Sequence, residues 1–525
     1  MTRYFTDRSR TEAYQRCPRL RFEQYHRGGM GIQSSKMNIY LAVGLSVHAG
    51  QAEMLRICAG NTEMLLNCAD TNPWIREDVE EAAVKAALED FRQYTIELDP
   101  QEIADQKQPA ASKEDLAGLL AQSLGMTPGE AGLEDMVERL ERSREDYDHY
   151  LAREQTALVE AMVRAYARRR LMPLLEQFEI LEVEREGMWK LSDMSEGGGE
   201  LWFMSRPDAL LRERESNQLY ILSFKTAGHW DDRQAKAAQC DMQGLSEGVE
   251  IDRRLERWWN EIHTDTGERT KAMWLICSEP MWKFLESQSA PPRVHAIRYE
   301  YLLKGERWID KEQSAKFNMT VRTQRSHLIR GYFNSAVLGG MGWNWSWDFL
   351  KPDGSGEMSK LYYKNWKSEP VYDHMTVKQW IDCLDQATEV YSGEDPTVGL
   401  EPRLLGYKSP AQATGYTTTH PLDDVFIPPV VVYRNEDELR DWVEQVEAQE
   451  RRVVEAAGVV AGAKDAGELR SLLNIHFPQA RRACQYPTQC TMYGVCYGGD
   501  AMRADPVSSG KYKERVVNHP QELTR

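Results

Sequence analysis

Asp208, in Arg206-Pro207-Asp208-Ala-Leu-Leu, and Lys225, in Tyr220-Ile-Leu-Ser223-Phe-Lys225-Thr-Ala, are the residues of this chain whose types and spacing could do chemistry. Each lies in an apolar run of strand composition, and the runs flank the polar stretch Arg212–Asn217. That pattern predicts a β-hairpin that brings Asp208 beside the end of the second strand. Residues two apart share a face of a strand, so Ser223 and Lys225 point together toward Asp208 while Phe224 points into the core. A carboxylate able to hold Mg²⁺ or Mn²⁺, with a cation near the attacking water or the scissile phosphate, is what phosphodiester hydrolysis requires. The plainer reading of an isolated Asp and Lys on adjacent strands is a surface ion pair.

These residues resemble the PD-(D/E)XK nuclease superfamily, whose motif is Pro-Asp, a variable gap, then acid-any-Lys on the next strand. Pro207-Asp208 and Lys225 match it, and Ser223 stands where the family places Asp or Glu. A serine hydroxyl coordinates a divalent cation far more weakly than a carboxylate, so the resemblance requires another acid to enter the site. Glu184, in Ile180-Leu-Glu-Val-Glu184-Arg-Glu, is the first candidate, because RecB-like members carry a Glu on the strand before the hairpin. Gly44-Leu-Ser-Val-His48 resembles the Gly-x-x-x-His element by which RecB-like and CRISPR-adaptation nucleases add a metal ligand. Gln239-Cys-Asp-Met-Gln243 resembles their Gln-x-x-x-Tyr element, with Gln243 in place of the tyrosine. The resemblance implies an α/β fold: a mixed sheet flanked by helices, with large helical insertions. It further implies that Asp208 bridges the metal, that His48 and Glu184 complete its shell, that Lys225 positions or activates water, and that Gln239 orients the phosphate.

Nine cysteines occur. Cys58, Cys68, Cys240, Cys277 and Cys383 lie singly and read as small buried hydrophobes. Cys484, Cys490 and Cys496 recur at equal spacing in a short loop-rich stretch, and Cys17 sits far away in Cys17-Pro18. Three closely spaced thiolates need one more ligand for a tetrahedral site or a cubane cluster, and Cys17 is the expected donor. One N-terminal Cys-Pro with three C-terminal cysteines resembles the iron–sulfur staple of RecB-like nucleases, which implies a 4Fe-4S cluster. Zn²⁺ suits four thiolates equally. No signal peptide is apparent and a cytoplasmic location is expected, where thiols stay reduced and disulfides do not form. Such a cluster would clasp the two chain ends together.

A chain of 525 residues with 41% hydrophobic content can bury a sizeable core in more than one lobe. No apolar run approaches the roughly 18 residues that span a bilayer. A net charge of −17 argues against a general nucleic-acid coat and leaves room for a local basic groove.

The order of patterns suggests residues 1–60 as an N-terminal segment with Cys17 and the His48 helix over 36–58, and 61–178 as a helical lobe. Residues 179–340 would form the nuclease core, with strands at Leu201–Leu211, Leu219–Thr226, Ala272–Cys277 and Val294–Leu303, the last two as outer strands. Residues 341–475 would form an inserted lobe, and 476–525 the cysteine segment with a loosely ordered tail. Arg322, Arg325, His327 and Arg330 suit a phosphate track on a helix or a solvated face equally. The stretch Gly342-Trp343-Asn-Trp345-Ser-Trp347, with lysines close behind, suits a stacking platform for single-stranded DNA or a packing knot. No Gly-x-x-x-x-Gly-Lys-Ser/Thr phosphate loop is present, so unwinding would need a separate helicase.

The function expected is that of a metal-dependent deoxyribonuclease, an exonuclease of phage or prophage recombination or repair, acting on single-stranded DNA or duplex ends with a helicase or recombinase as partner. The alternative is a catalytically weak or inactive scaffold of the same type that binds DNA or a protein.

Overall fold

The computed structural model describes residues 2–35, 39–59, 61–68, 73–95, 155–194, 199–228, 230, 232–264, 277–304, 347–350, 358–360, 376–378, 381–382, 385, 403–404, 421–484 and 490–517. Arg322, Arg325, His327, Arg330, Cys383, the aromatic stretch before Trp347 and residues 272–276 of an expected strand lie outside them.

The chain is a mixed α/β protein. Its strands are β1 (Arg3–Asp7), β2 (Ile32–Ser34), β3 (Phe178–Val183), β4 (Gly187–Asp193), β5 (Glu200–Ser205), β6 (Ala209–Glu213), β7 (Leu219–Ala227) and β8 (Val294–Leu303), followed by β9 (Trp347–Leu350), β10 (Met358–Lys360), β11 (Arg403–Leu404), β12 (Val430–Tyr433) and β13 (Tyr512–Glu514). The principal sheet has the order β12-β8-β7-β6-β3. Its β7–β8 pair is parallel and its other pairs antiparallel. A second sheet, β1-β5-β4, joins the N-terminal strand to the segment before the hairpin, and β10-β9-β11 forms a third.

The predicted hairpin is present, with β6 and β7 paired from Ala209↔Leu222 to Arg212↔Leu219. Asn217 closes its turn at φ +62°, a left-handed conformation that Asn tolerates better than most side chains. Along β7, Tyr220, Leu222 and Phe224 enter one hydrophobic core, and Leu219 and Ile221 enter another on the opposite face. Helices α1 (Arg8–Arg16), α2 (Pro18–Tyr25), α3 (Ile39–Ala59), α4 (Thr62–Cys68) and α5 (Pro73–Thr95) precede β3. The first core is filled by α3, α5 and a helix over 155–169, so the expected helical lobe shares its core with the sheet. The second is filled by the helices Met242–Thr264 and Glu279–Ser287. Coverage on both sides explains why β7 is a nearly continuous apolar run rather than an alternating one.

Three expectations are corrected. The strand expected over Leu201–Leu211 is two strands in different sheets, β5 and β6, divided at Arg206-Pro207-Asp208. Pro207 has no N–H to donate, so the ladder cannot run through it. The strand Val294–Leu303 is interior, because β12, within the segment expected as an inserted lobe, forms the edge. The tail after Tyr497 is ordered through β13, which pairs with β2 and buries Tyr512 in the same cluster as Cys17. Among the described residues no helix is long and apolar enough to cross a membrane.

Candidate active centre

Asp208 ends the connection from β5 and enters β6. Its Oδ2 accepts the Phe224 backbone N–H at 2.7 Å, and its carbonyl accepts the Glu184 N–H at 2.9 Å. The carboxylate is thus tied to the residue between Ser223 and Lys225. Phe224 enters the α3 side of the sheet, and Lys225 lies on the other side with its Nζ 5.6 Å from the Tyr299 ring centre. The alternation expected of the strand therefore holds. Ser223 is fully buried, and its Oγ has no hydrogen-bond partner.

The helix Met242–Thr264 supplies what lies opposite Lys225. Asp241 caps it by accepting the Gln243 N–H at 3.0 Å, and its other oxygen pairs with Lys225 Nζ at 3.2 Å. Gln243 Oε1 accepts from Lys225 Nζ and, at 2.5 Å, from Arg8 Nη1 of α1. Gln243 Nε2 donates to Glu247 Oε1 at 2.8 Å. The helix comes this close to the sheet because residue 244 is glycine: a Cβ there would stand 2.4 Å from Ile297 Cδ1 and 2.6 Å from Tyr299 Oη. Glu247 is 3% exposed, and its Oε2 has no partner. Burial pushes its carboxyl up to about 8, the neighbouring Asp208 charge adds to this, and the Gln243 hydrogen bond and Lys225 oppose it.

His48 arrives from the other face. Gly44 lets α3 approach the end of β7, since a Cβ there would stand 2.6 Å from Thr226 Oγ1. One turn later the His48 ring lies 6.1 Å from that of Phe224, and its Nε2 is buried without a partner. Burial lowers its pKa, against the pull of Asp208, which favours the neutral imidazole that can ligate a metal.

Two nominated residues are engaged by other residues. Glu184 sits in a left-handed turn at φ +44° with its side chain paired to Arg56 of α3. Gln239 ends the helix Asp232–Gln239, is exposed, and offers its carbonyl to Arg434 at 2.6 Å. Gln243, at the position where the resemblance places a tyrosine, is the glutamine that meets Lys225. Gln243 and Glu247, four apart at the start of the long amphipathic helix after the motif strand, were the signal that spacing alone did not single out.

The four patterned cysteines lie near the junction of the chain ends, where β13 pairs with β2. Cys17 and Cys484 are buried; Cys17 shares a hydrophobic cluster with Met492, Val495 and Tyr512, against which Cys490 packs. Cys17 Sγ accepts the Ala480 N–H at 3.3 Å, and the Cys490 N–H donates to the Cys484 carbonyl at 2.9 Å. Burial raises the Cys490 thiol, and the nearby Cys17 and Cys484 thiols add to that. Cys496, pushed up to about 12 chiefly by burial, feels Cys490 and Cys17 likewise. Of the five other cysteines, Cys58 and Cys277 are buried as expected, whereas Cys240, in the turn after Gln239, is exposed.

Among the described residues no three His, Cys, Asp or Glu side chains form a group that could hold a metal ion as they stand. The centre sets Asp208, bonded to the Phe224 N–H, beside a mixed sheet whose β7 carries Lys225, with one helix approaching from each face. No protein-family model matches this chain, and no curated protein matches it.

Proposed function

We propose that this chain is a metal-dependent deoxyribonuclease of the PD-(D/E)XK type. The observation that carries the reading is the tie between Asp208 Oδ2 and the Phe224 N–H, which sets a carboxylate and Lys225 on neighbouring strands of a mixed sheet. Asp208 offers the oxygen that a hard cation takes, and His48 adds a softer nitrogen donor, a buried Nε2 without a partner.

A bound Mg²⁺ or Mn²⁺ would supply a polarised phosphoryl oxygen and a more acidic water. Asp208 and His48 would hold it. Lys225, fixed through Gln243 and Asp241, would place its charge beside the phosphate or the attacking water. Arg8, on the same Gln243 oxygen, adds a second cation for the DNA backbone. Cys17, Cys484, Cys490 and Cys496 would hold an iron–sulfur cluster, or zinc, as a structural clasp of the chain ends. The setting proposed is phage-type recombination or repair with a separate helicase or recombinase.

A second reading, a scaffold that binds DNA without cutting it, draws on Ser223 at the acid position and on the pairing of Lys225 with Asp241. Digestion of end-labelled single- and double-stranded DNA, with Mg²⁺, with Mn²⁺ and with chelator, separates the two. Cleavage that requires the metal supports the nuclease. Retention of DNA in chelator with no cleavage under either metal supports the scaffold.

A further inference from the structure

We propose that Glu247 is the second metal-binding carboxylate of this centre, standing in for the acid that Ser223 replaces; the proposal rests on the nuclease reading above.

The Glu184 side chain is paired with Arg56, and Glu182 of β3 with Arg254. Glu247 comes from the helix that already meets Lys225. One of its oxygens is held by Gln243 and the other is buried with no partner. An ionised carboxylate in that state is destabilised by the loss of its hydration, and a cation would offset that loss. Asp208 lies near enough for its charge to act on Glu247. A buried carboxylate beside a second, partly buried one favours a proton or a cation there. Ser223 Oγ and His48 Nε2 are likewise buried without partners. Unpaired polar atoms on β7, on α3 and on the helix Met242–Thr264 thus accompany Asp208, whose charge acts on both His48 and Glu247.

Gln243 accounts for how Glu247 is held. Lys225 can only donate, so the Gln243 amide must turn its oxygen to Lys225 and its nitrogen to Glu247. Lys225, Gln243 and Glu247 therefore form one chain of hydrogen bonds whose direction chemistry dictates. The next buried acid on the helix, Glu250, pairs with Arg254 at 3.0 Å and is not available.

The test is Mn²⁺ binding by calorimetry and by the Mn²⁺-induced shift in melting temperature, measured beside DNA cleavage, for the full chain and its Glu247→Gln, Glu247→Asp, Glu184→Gln and Asp208→Asn variants. Glu247→Gln should bind Mn²⁺ at least about tenfold more weakly and lose the thermal shift, while melting without metal at or above the unsubstituted temperature. A merely structural role would lower that metal-free melting point instead. Glu247→Asp, which keeps the charge but withdraws it by one methylene, should bind with intermediate affinity, and it carries the test if the glutamine variant does not fold. Glu184→Gln should bind as the unsubstituted chain does. Undiminished Mn²⁺ binding by Glu247→Gln and Glu247→Asp alongside its loss in Asp208→Asn would overturn the assignment and leave the nuclease reading standing. An unsubstituted chain that neither binds Mn²⁺ nor cuts DNA would overturn both.

Discussion

Asp208 Oδ2 accepts the backbone N–H of Phe224 at 2.7 Å, across sixteen residues of hairpin. This bond couples the carboxylate to the strand that carries Lys225, so any slip in hairpin register would pull the two apart. A one-residue slip would also turn Lys225 into the core.

Asp208→Asn keeps the shape of the side chain and removes its charge. We expect metal-dependent cleavage to fall by about a hundredfold or more, with the far-ultraviolet spectrum unchanged. Lys225→Ala should slow cleavage with less effect on Mn²⁺ affinity, because lysine does not ligate. Single-turnover rates and Mn²⁺ titrations of both variants measure this, and near-normal cleavage by Asp208→Asn would remove the core of the proposal.

Gln243→Ala releases Lys225, Arg8 and Glu247 at once. Its rate of cleavage should drop by about 10–100-fold, the scale of a misplaced catalytic group. Gln239→Ala, which truncates an exposed side chain, should cut at the parent rate. Equal damage from the two would mean that Gln243 does not position Lys225.

The clasp is read by colour and by stability. Protein purified without oxygen should be brown with broad absorption near ~400 nm, as thiolate-bound iron–sulfur clusters are. Colourless protein with one zinc per chain would assign zinc instead. Cys17→Ser and Cys490→Ser should lower the melting temperature by similar amounts, since each opens the same closure of the chain ends.

Arg21 and Glu450 form a buried ion pair at 2.6 Å between α2 and the helix Glu436–Ala461. Arg21→Met should cost about 3–5 kcal/mol, because it strands a buried carboxylate. Arg21→Met with Glu450→Leu should recover most of that loss in urea unfolding. A double variant no more stable than the single one would show that packing, not the stranded charge, sets the cost.

Buried acids should make the metal-free protein less stable as pH rises. Burial, with Glu182 adding and Arg254 opposing, pushes Glu250 from 4.5 up to about 7, and burial pushes Asp252 from 3.8 up to about 6. A raised carboxyl favours the folded state at pH below its ordinary value, and that advantage is lost as pH climbs through the folded one. Glu250 should therefore contribute about 3 kcal/mol that disappears between about pH 4.5 and 7, at ~1.4 kcal/mol per unit. Glu250→Gln should flatten this slope in urea melts taken across that window, and an unchanged slope would refute the assignment.

The residues by themselves determined what local periodicity and turn chemistry can determine. Alternation and the polar turn predicted the β6–β7 hairpin and the faces of Phe224 and Lys225. The apolar run after residue 36 predicted α3, and the cysteine spacing pointed to a meeting of the chain ends. Tertiary structure alone decided which glutamine and which acid approach Lys225. The Gln243 contacts span 18 residues to Lys225 and 235 to Arg8. They depend on how closely a helix can lie on β8, which Gly244 sets by lacking a Cβ. Likewise Glu184 is drawn to Arg56 on α3 by a packing of helix on sheet that strand composition does not encode. Side chains four apart on a helix share a face, but which face meets the sheet is settled by the core it buries, and that is a property of the whole chain.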